Sequence, residues 1–146
     1  MNIVDTNGIQ YIFQNHLNLQ DDYFLVPDVE EEVEMTQLIH GRRIPNRVLK
    51  ITQVSDFDKA AYLSYYKTVL NKYGGRSFYN MTGFGDISII ASVYVLTNAL
   101  SQRVQGQLFP DNDQIVVYTG DTRLTGKIKK EFKATNVTVR PVADIS

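Results

Sequence analysis

Apolar residues along this chain fall into short runs, and segments with helical spacing separate them. Asn2–Val4 suits a buried strand, and Ile9, Ile12, Phe13 and Leu17 then recur on one face, predicting a helix from about Ile9 to Leu17. Tyr23–Val26 reads as a second strand stopped by Pro27. That proline can open the helix written by DVEEEVEMTQLI, whose early acids suit the positive end of a helix dipole. GRRIPNR is a basic, turn-rich connection. VLKITQV, residues 48–54, alternates as a third strand, and Ser55-Asp56 has the form of a helix start.

The second half continues the alternation. DKAAYLSYYKTVLNKYGG predicts an amphipathic helix halted by Gly74-Gly75, and RSFYNMTGFG a loop. DISIIASVYVLTNALS is apolar on most sides, as a central buried helix would be. QIVVYTG carries a buried-type strand at Ile115–Tyr118, DTRLTGKIKKEF a helix and NVTVRPV a last strand. Strands alternating with helices predict a three-layer α/β domain spanning residues 1–146, its mainly parallel sheet covered on both faces. Ligands of such sheets bind beyond the carboxyl ends of the strands, where strand order reverses.

Composition narrows the chemistry. The 146 residues are 43% hydrophobic and 21% charged, as expected of a folded soluble protein, and they include no cysteine, which removes thiolate metal sites and disulfides. The longest apolar stretch, Ile87 to Leu100, is interrupted by Ser88, Ser92, Thr97 and Asn98, too polar to span a bilayer. No signal-like segment precedes the first strand, so a cytoplasmic location is expected. The net charge of −1 conceals a split: residues 1–41 hold eight acids and no Lys or Arg, while all fifteen Lys and Arg follow from Arg42 onward. A polyanion-binding protein that also holds cations fits that division.

Four acids stand out by position. Asp5 follows the first strand, Asp121 follows the strand at Ile115–Tyr118, Asp86 opens the buried helix, and Glu32 lies in the acidic run after Pro27. Helix capping explains Asp5, Asp86 and Asp121 one at a time, and a solvated helix face explains Glu32. Jointly they suggest a cluster, because an α/β sheet brings the first and fourth strand ends near each other. Unpaired carboxylates in a cleft repel, and an oxygen-only donor set without cysteine or paired histidines suits Mg²⁺ or Mn²⁺. His16 and His40 are isolated and read as structural or exposed.

The succession VDTN, VPDVEEEVE, GFGDISIIA and VVYTGDTRL resembles the PIN domain, a small metal-dependent nuclease fold that includes the ribonuclease toxins of toxin–antitoxin pairs. The likeness covers nearly the whole chain. It implies a sheet of order 3-2-1-4-5 and four metal-binding catalytic acids, Asp5, Glu32, Asp86 and Asp121, supported by Thr6, Asn7 and Thr119. It further implies Mg²⁺ or Mn²⁺ as cofactor, RNA as substrate, hydrolysis that leaves a 5′-phosphate, and an antitoxin or a second copy as protein partners. Glu31 and Glu34 stand as substitutes for Glu32, and Leu124 replaces an aromatic residue common in the family.

An acidic cleft needs cations to hold RNA. Arg42, Arg43, Arg47 and Lys50 on the connection after the second helix, with Arg123 and Lys127 after Asp121, are the candidates for phosphate contact. Tyr62, Tyr65, Tyr66 and Tyr73 could stack on bases, but their helical spacing favours packing. Rival readings are a PIN scaffold that binds RNA or protein without cutting, a PIN-like DNA nuclease, and a phosphoacceptor receiver. The last would want paired acids after the first strand, where Thr6-Asn7 stand instead.

Overall fold

The computed structural model describes the backbone of all residues except 42, 74–83, 105–113 and 134, and side chains except at those positions and at 36–40 and 101–104. Five strands, β1 (Asn2–Val4), β2 (Tyr23–Leu25), β3 (Val48–Lys50), β4 (Ile115–Tyr118) and β5 (Val137–Arg140), form one sheet of order β3-β2-β1-β4-β5. Every pairing is parallel. The helices are α1 (Thr6–Gln14), α2 (Pro27–His40), α3 (Lys59–Tyr73), α4 (Phe84–Val104) and α5 (Thr122–Glu131). The architecture is the expected three-layer α/β fold. Right-handed crossovers put α1 on one face and α3, α4 and α5 on the other, and α2 packs against α4 as well as α1. Glu131 of α5 accordingly bonds Lys72 and Tyr73 of α3 and Tyr94 of α4.

The central strands are buried on both sides, which is why they read as continuous apolar runs: Ile3, Val4 and Val117 are inaccessible. α4 is apolar nearly all round because the sheet, α2 and α3 cover it, and Ile87, Ile89, Ile90, Ala91 and Val93 are fully buried. Among the described residues no helix is long and apolar enough to cross a membrane.

Several boundaries differ from the sequence expectation. α1 begins at Thr6 rather than Ile9, because Asp5 caps it. It ends at Gln14, short of Leu17: His16 takes a left-handed φ of 47°, and Leu17 N–H returns to Ile12 O at 3.2 Å while His16 N–H reaches Phe13 O at 3.3 Å. That pair of bonds closes a helix C-terminus, with His16 where glycine is usual. β3 is three residues, not seven, since its partner β2 stops at Leu25 before Pro27 and leaves nothing to pair; Ile51–Gln53 turn into a 3-10 helix. Asp58, not Asp56, starts α3, its Oδ1 accepting from the N–H groups of Ala60 and Ala61 at 2.9 and 3.1 Å. α4 begins at Phe84, so Asp86 lies inside the first turn and is not its N-cap. The Gly74-Gly75 stop and most of the RSFYNMTGFG loop lie outside the described residues.

Candidate active site

The sheet's switch point lies between β1 and β4, where β1 leads leftward to β2 and β4 leads rightward to β5. Val4 pairs with Tyr118, and Asp5 N–H extends the ladder to Tyr118 O at 3.3 Å. Asp5 and Thr119 therefore emerge side by side, and the Thr119 hydroxyl donates to Asp5 Oδ2 at 2.5 Å. Gly8 N–H donates to the other oxygen, Oδ1, at 2.8 Å. The same Thr119 oxygen accepts from Asp121 N–H at 3.0 Å, which ties the two turns together.

Asp5 and Asp121 each cap a helix, as the simpler sequence reading allows. Asp121 Oδ1 accepts from Arg123 N–H at 2.8 Å and Leu124 N–H at 3.2 Å. Capping does not exhaust them. Both line one cleft of about 490 Å³ at the carboxyl end of the sheet, together with Glu32 and Asp86. Thr6, Asn7 and Arg123 complete much of its wall. All four sequence-selected acids thus meet in one place, each from a different segment of the chain.

Glu32 reaches the cleft from α2. The Thr6 hydroxyl donates to its Oε2, a bond that joins α1 to α2. The first turn of α4 passes beside the glutamate: a Cβ on Gly85 would make ordinary contacts of 3.4 Å with Val29 Cγ2 and 3.6 Å with Glu32 Oε1. Burial pushes the Asp5 carboxyl above its ordinary value; the bonds from Thr119 and Gly8 oppose this, and the Asp121 charge adds to it. A buried carboxylate raised by a neighbouring one is the electrostatic mark of a site suited to a cation.

Hard oxygen donors of this kind suit Mg²⁺ or Mn²⁺. Among the described residues, however, no three His, Cys, Asp or Glu side chains stand close enough together to hold an ion as placed. Local bonds account for this: Asp5 is turned to Thr119 and Gly8, Asp121 to its helix, Glu32 to Thr6. A carboxylate offers about four lone-pair sites, so the two bonds on Asp5 leave it acceptor capacity. By donor chemistry, Asp5, Glu32, Asp86 and Asp121 would hold the metal.

The basic candidates divide. Arg123 lines the cleft. Arg47 instead pairs with Asp22 at 3.3 Å, and Lys50 with Glu30 at 3.1 Å and Glu34 at 2.8 Å, all near the β3 edge. The Lys127 ammonium lies 5.4 Å over the Tyr73 ring. Arg43 is exposed and not part of the cleft wall, and Arg42 falls outside the described residues. The tyrosines pack as their spacing suggests, with Tyr62 and Tyr73 buried and Tyr65 stacked on Tyr94 at 5.2 Å.

Sequence reasoning missed Asp28. It stands one turn before Glu32 on the same face of α2, and that spacing was the available signal. Its Oδ2 accepts from the Tyr66 hydroxyl at 2.8 Å, and its N–H reaches Ser88 Oγ at 3.3 Å, which Tyr62 also contacts at 2.7 Å. These bonds fix the start of α2 against α3 and α4, and hence the approach of Glu32. No family model, curated protein or solved structure matches this chain.

Proposed function

We propose that the protein is an Mg²⁺- or Mn²⁺-dependent endoribonuclease of the PIN type. The observation that carries this reading is the convergence of Asp5, Glu32, Asp86 and Asp121 on one cleft at the switch point of a 3-2-1-4-5 parallel sheet. The strand order is the one that the resemblance implies, which supports this reading.

The bound cation would lower the pKa of a water, offset phosphate charge and stabilise the leaving oxygen. The chain's own contribution is positional. Thr119 and Gly8 fix the Asp5 carboxylate, Thr6 fixes Glu32, and the start of α5 fixes Asp121. Arg123, in the cleft wall, supplies the positive charge that an incoming phosphate needs. No cysteine or paired histidine offers a nucleophile, in keeping with attack by water. A restraining antitoxin and a homodimer remain part of the proposal on the family likeness alone.

Incubation with total RNA, tRNA and single-stranded DNA, with Mn²⁺ or Mg²⁺ and with EDTA, tests the reading. RNA is cut only with metal, and Asp86→Asn abolishes cutting. Cleavage that survives EDTA, or that this variant retains in full, refutes it. A second reading, a scaffold that binds RNA or protein without cutting, is favoured by the separation of the carboxylates as placed. Calorimetry with Mn²⁺ decides between them: absent binding, or binding indifferent to Asp5→Ala, favours the scaffold.

A further inference from the structure

A second groove, of about 710 Å³, adjoins the acid cleft and shares Thr6 and Glu32 with it. One wall is a stripe of α2, where Asp28, Glu31, Glu32 and Met35 recur at helix-face spacing. Tyr66 of α3 and Phe84 at the start of α4 form the rest. Its apolar members are open to water: Met35 is 57% exposed and Phe84 52%. Large apolar side chains at such exposure beside a polar cleft mark a binding surface more often than a packing fault.

We propose that this groove is a subsite for one unpaired base of the RNA, next to the bond that is cut, and that it favours guanine. The inference rests on the reading of the neighbouring cleft as a ribonuclease site and adds the substrate feature it recognises. Asp28, Glu31 and Glu32 disfavour a phosphate within the groove itself, where no cationic side chain is among the lining residues described. A neutral base fits, its face against Phe84 and Met35 and its edge toward the carboxylates. Carboxylates only accept hydrogen bonds. Guanine alone carries two adjacent N–H donors, N1–H and the 2-amino group, on its pairing edge. Adenine and cytosine set a ring nitrogen lone pair beside their amino group, and uracil flanks its single N–H with two carbonyls. The shared residues Thr6 and Glu32 make the groove continuous with the cleft, so a strand crossing the acids places its next base here.

Two measurements test the proposal. In the first, the methyl signal of labelled Met35 is followed by NMR as free guanosine or uridine is added; Met35→Leu assigns it among the chain's three methionines. Guanosine shifts it, uridine does not, and Phe84→Ala removes the response. In the second, cleavage is compared for short single-stranded RNAs with one guanosine among uridines and for all-uridine RNA. Phe84→Ala lowers kcat/KM on the first about tenfold, within the range for losing one base–aromatic stack. Glu31→Gln cuts the guanine preference by about fivefold, the loss expected of one bidentate base contact. Both side chains are exposed, so neither variant threatens folding. A guanosine response in a protein that cuts no RNA sinks the nuclease reading and upholds the groove as a base site. RNA cutting with an unmoved Met35 signal and an unchanged preference in both variants overturns the subsite and spares the nuclease. A shift caused by an arginine-rich peptide but not by guanosine also overturns it, making the groove a protein-docking surface.

Discussion

Replacing Asp5 separates the two tasks of this side chain, capping α1 and presenting negative charge to the cleft. Asn caps as well as Asp, so Asp5→Asn keeps the acceptor for Gly8 N–H, removes the charge, and turns the Thr119 contact round, the threonine oxygen accepting from the new amide N–H. The Asp5 carboxyl is raised by burial, with Asp121 adding to it. A group raised on folding stabilises most when protonated, and that contribution is lost as pH rises from the ordinary 3.8 through the folded value. At neutral pH in EDTA, Asp5→Asn is therefore more stable than the parent, and the gap closes as pH falls below that ordinary value. Asp5→Ala behaves oppositely. It strands the Gly8 N–H and the Thr119 hydroxyl, a loss of about 2–6 kcal/mol at about 1–3 for each buried unpaired group. For a chain of this size that is a fall in Tm of about 4–24 °C.

The metal reverses the order. Saturation with Mn²⁺ at about a hundred times its Kd adds about 2.7 kcal/mol to the parent, or roughly 5–10 °C in Tm. Asp5→Asn loses most of that gain. Thermal unfolding followed by circular dichroism, in EDTA across pH 3–8 and in Mn²⁺ at neutral pH, reads all of it. An Asn variant less stable than the parent in EDTA at pH 7, or a parent indifferent to Mn²⁺, refutes the claim that opposed carboxylates in this cleft await a cation.

Two further outcomes bear on the scaffold. Glu131, its side chain 6% exposed, accepts from Lys72, Tyr73 and Tyr94. Its removal in Glu131→Ala leaves the part-buried Tyr73 and Tyr94 hydroxyls unpaired and costs about 1–3 kcal/mol, measured by urea denaturation, whereas Glu131→Gln costs less. Burial would raise this carboxyl, but the three donors outweigh it and hold it below the ordinary 4.5, so its contribution is present above that pH and lost as pH falls through the folded value. At Gly8, an added Cβ would lie 2.1 Å from Val4 Cγ2 and 3.3 Å from Ile145 Cδ1. Gly8→Ala therefore destabilises by about 1–3 kcal/mol despite the better helix propensity of alanine, and it lowers Mn²⁺ affinity by displacing the N–H that holds Asp5.

The parallel pairing was legible because long-range packing writes itself into hydrophobic runs, as at Ile3, Val4, Ile115 and Val117, which are all buried, whereas the strand order came only from the family resemblance. Where legibility failed, a partner decided. Residues 51–54 alternate like a strand, yet β2 has ended and offers them no ladder. Asp56 and Asp58 look equally like caps, and only the bonds to Ala60 and Ala61 choose Asp58. Arg47 and Lys50 look like phosphate ligands until Asp22, Glu30 and Glu34 claim them. Of the basic candidates among the described residues, Arg123 is the one that lines the cleft, because it lies in the first turn of α5 beside Asp121.

Local structure also decides how much weight each acid can bear. Capping alone would put Asp5 and Asp121 where they are, and the helix dipole favours an acid such as Asp86 in the first turn of α4. Glu32 is different. It stands six residues into α2, past the turn over which the dipole acts, and takes its bond from Thr6 of another helix. The first turn of α4 passes beside it at Gly85. Nothing in the helix itself asks for a carboxylate at that point, while a cation between β1 and β4 would. The cluster is thus argued most strongly by its least conspicuous member: in a run of acids that reads as a solvated face, Glu32 is the one that lines the cleft at the switch point and takes a bond from a neighbouring helix.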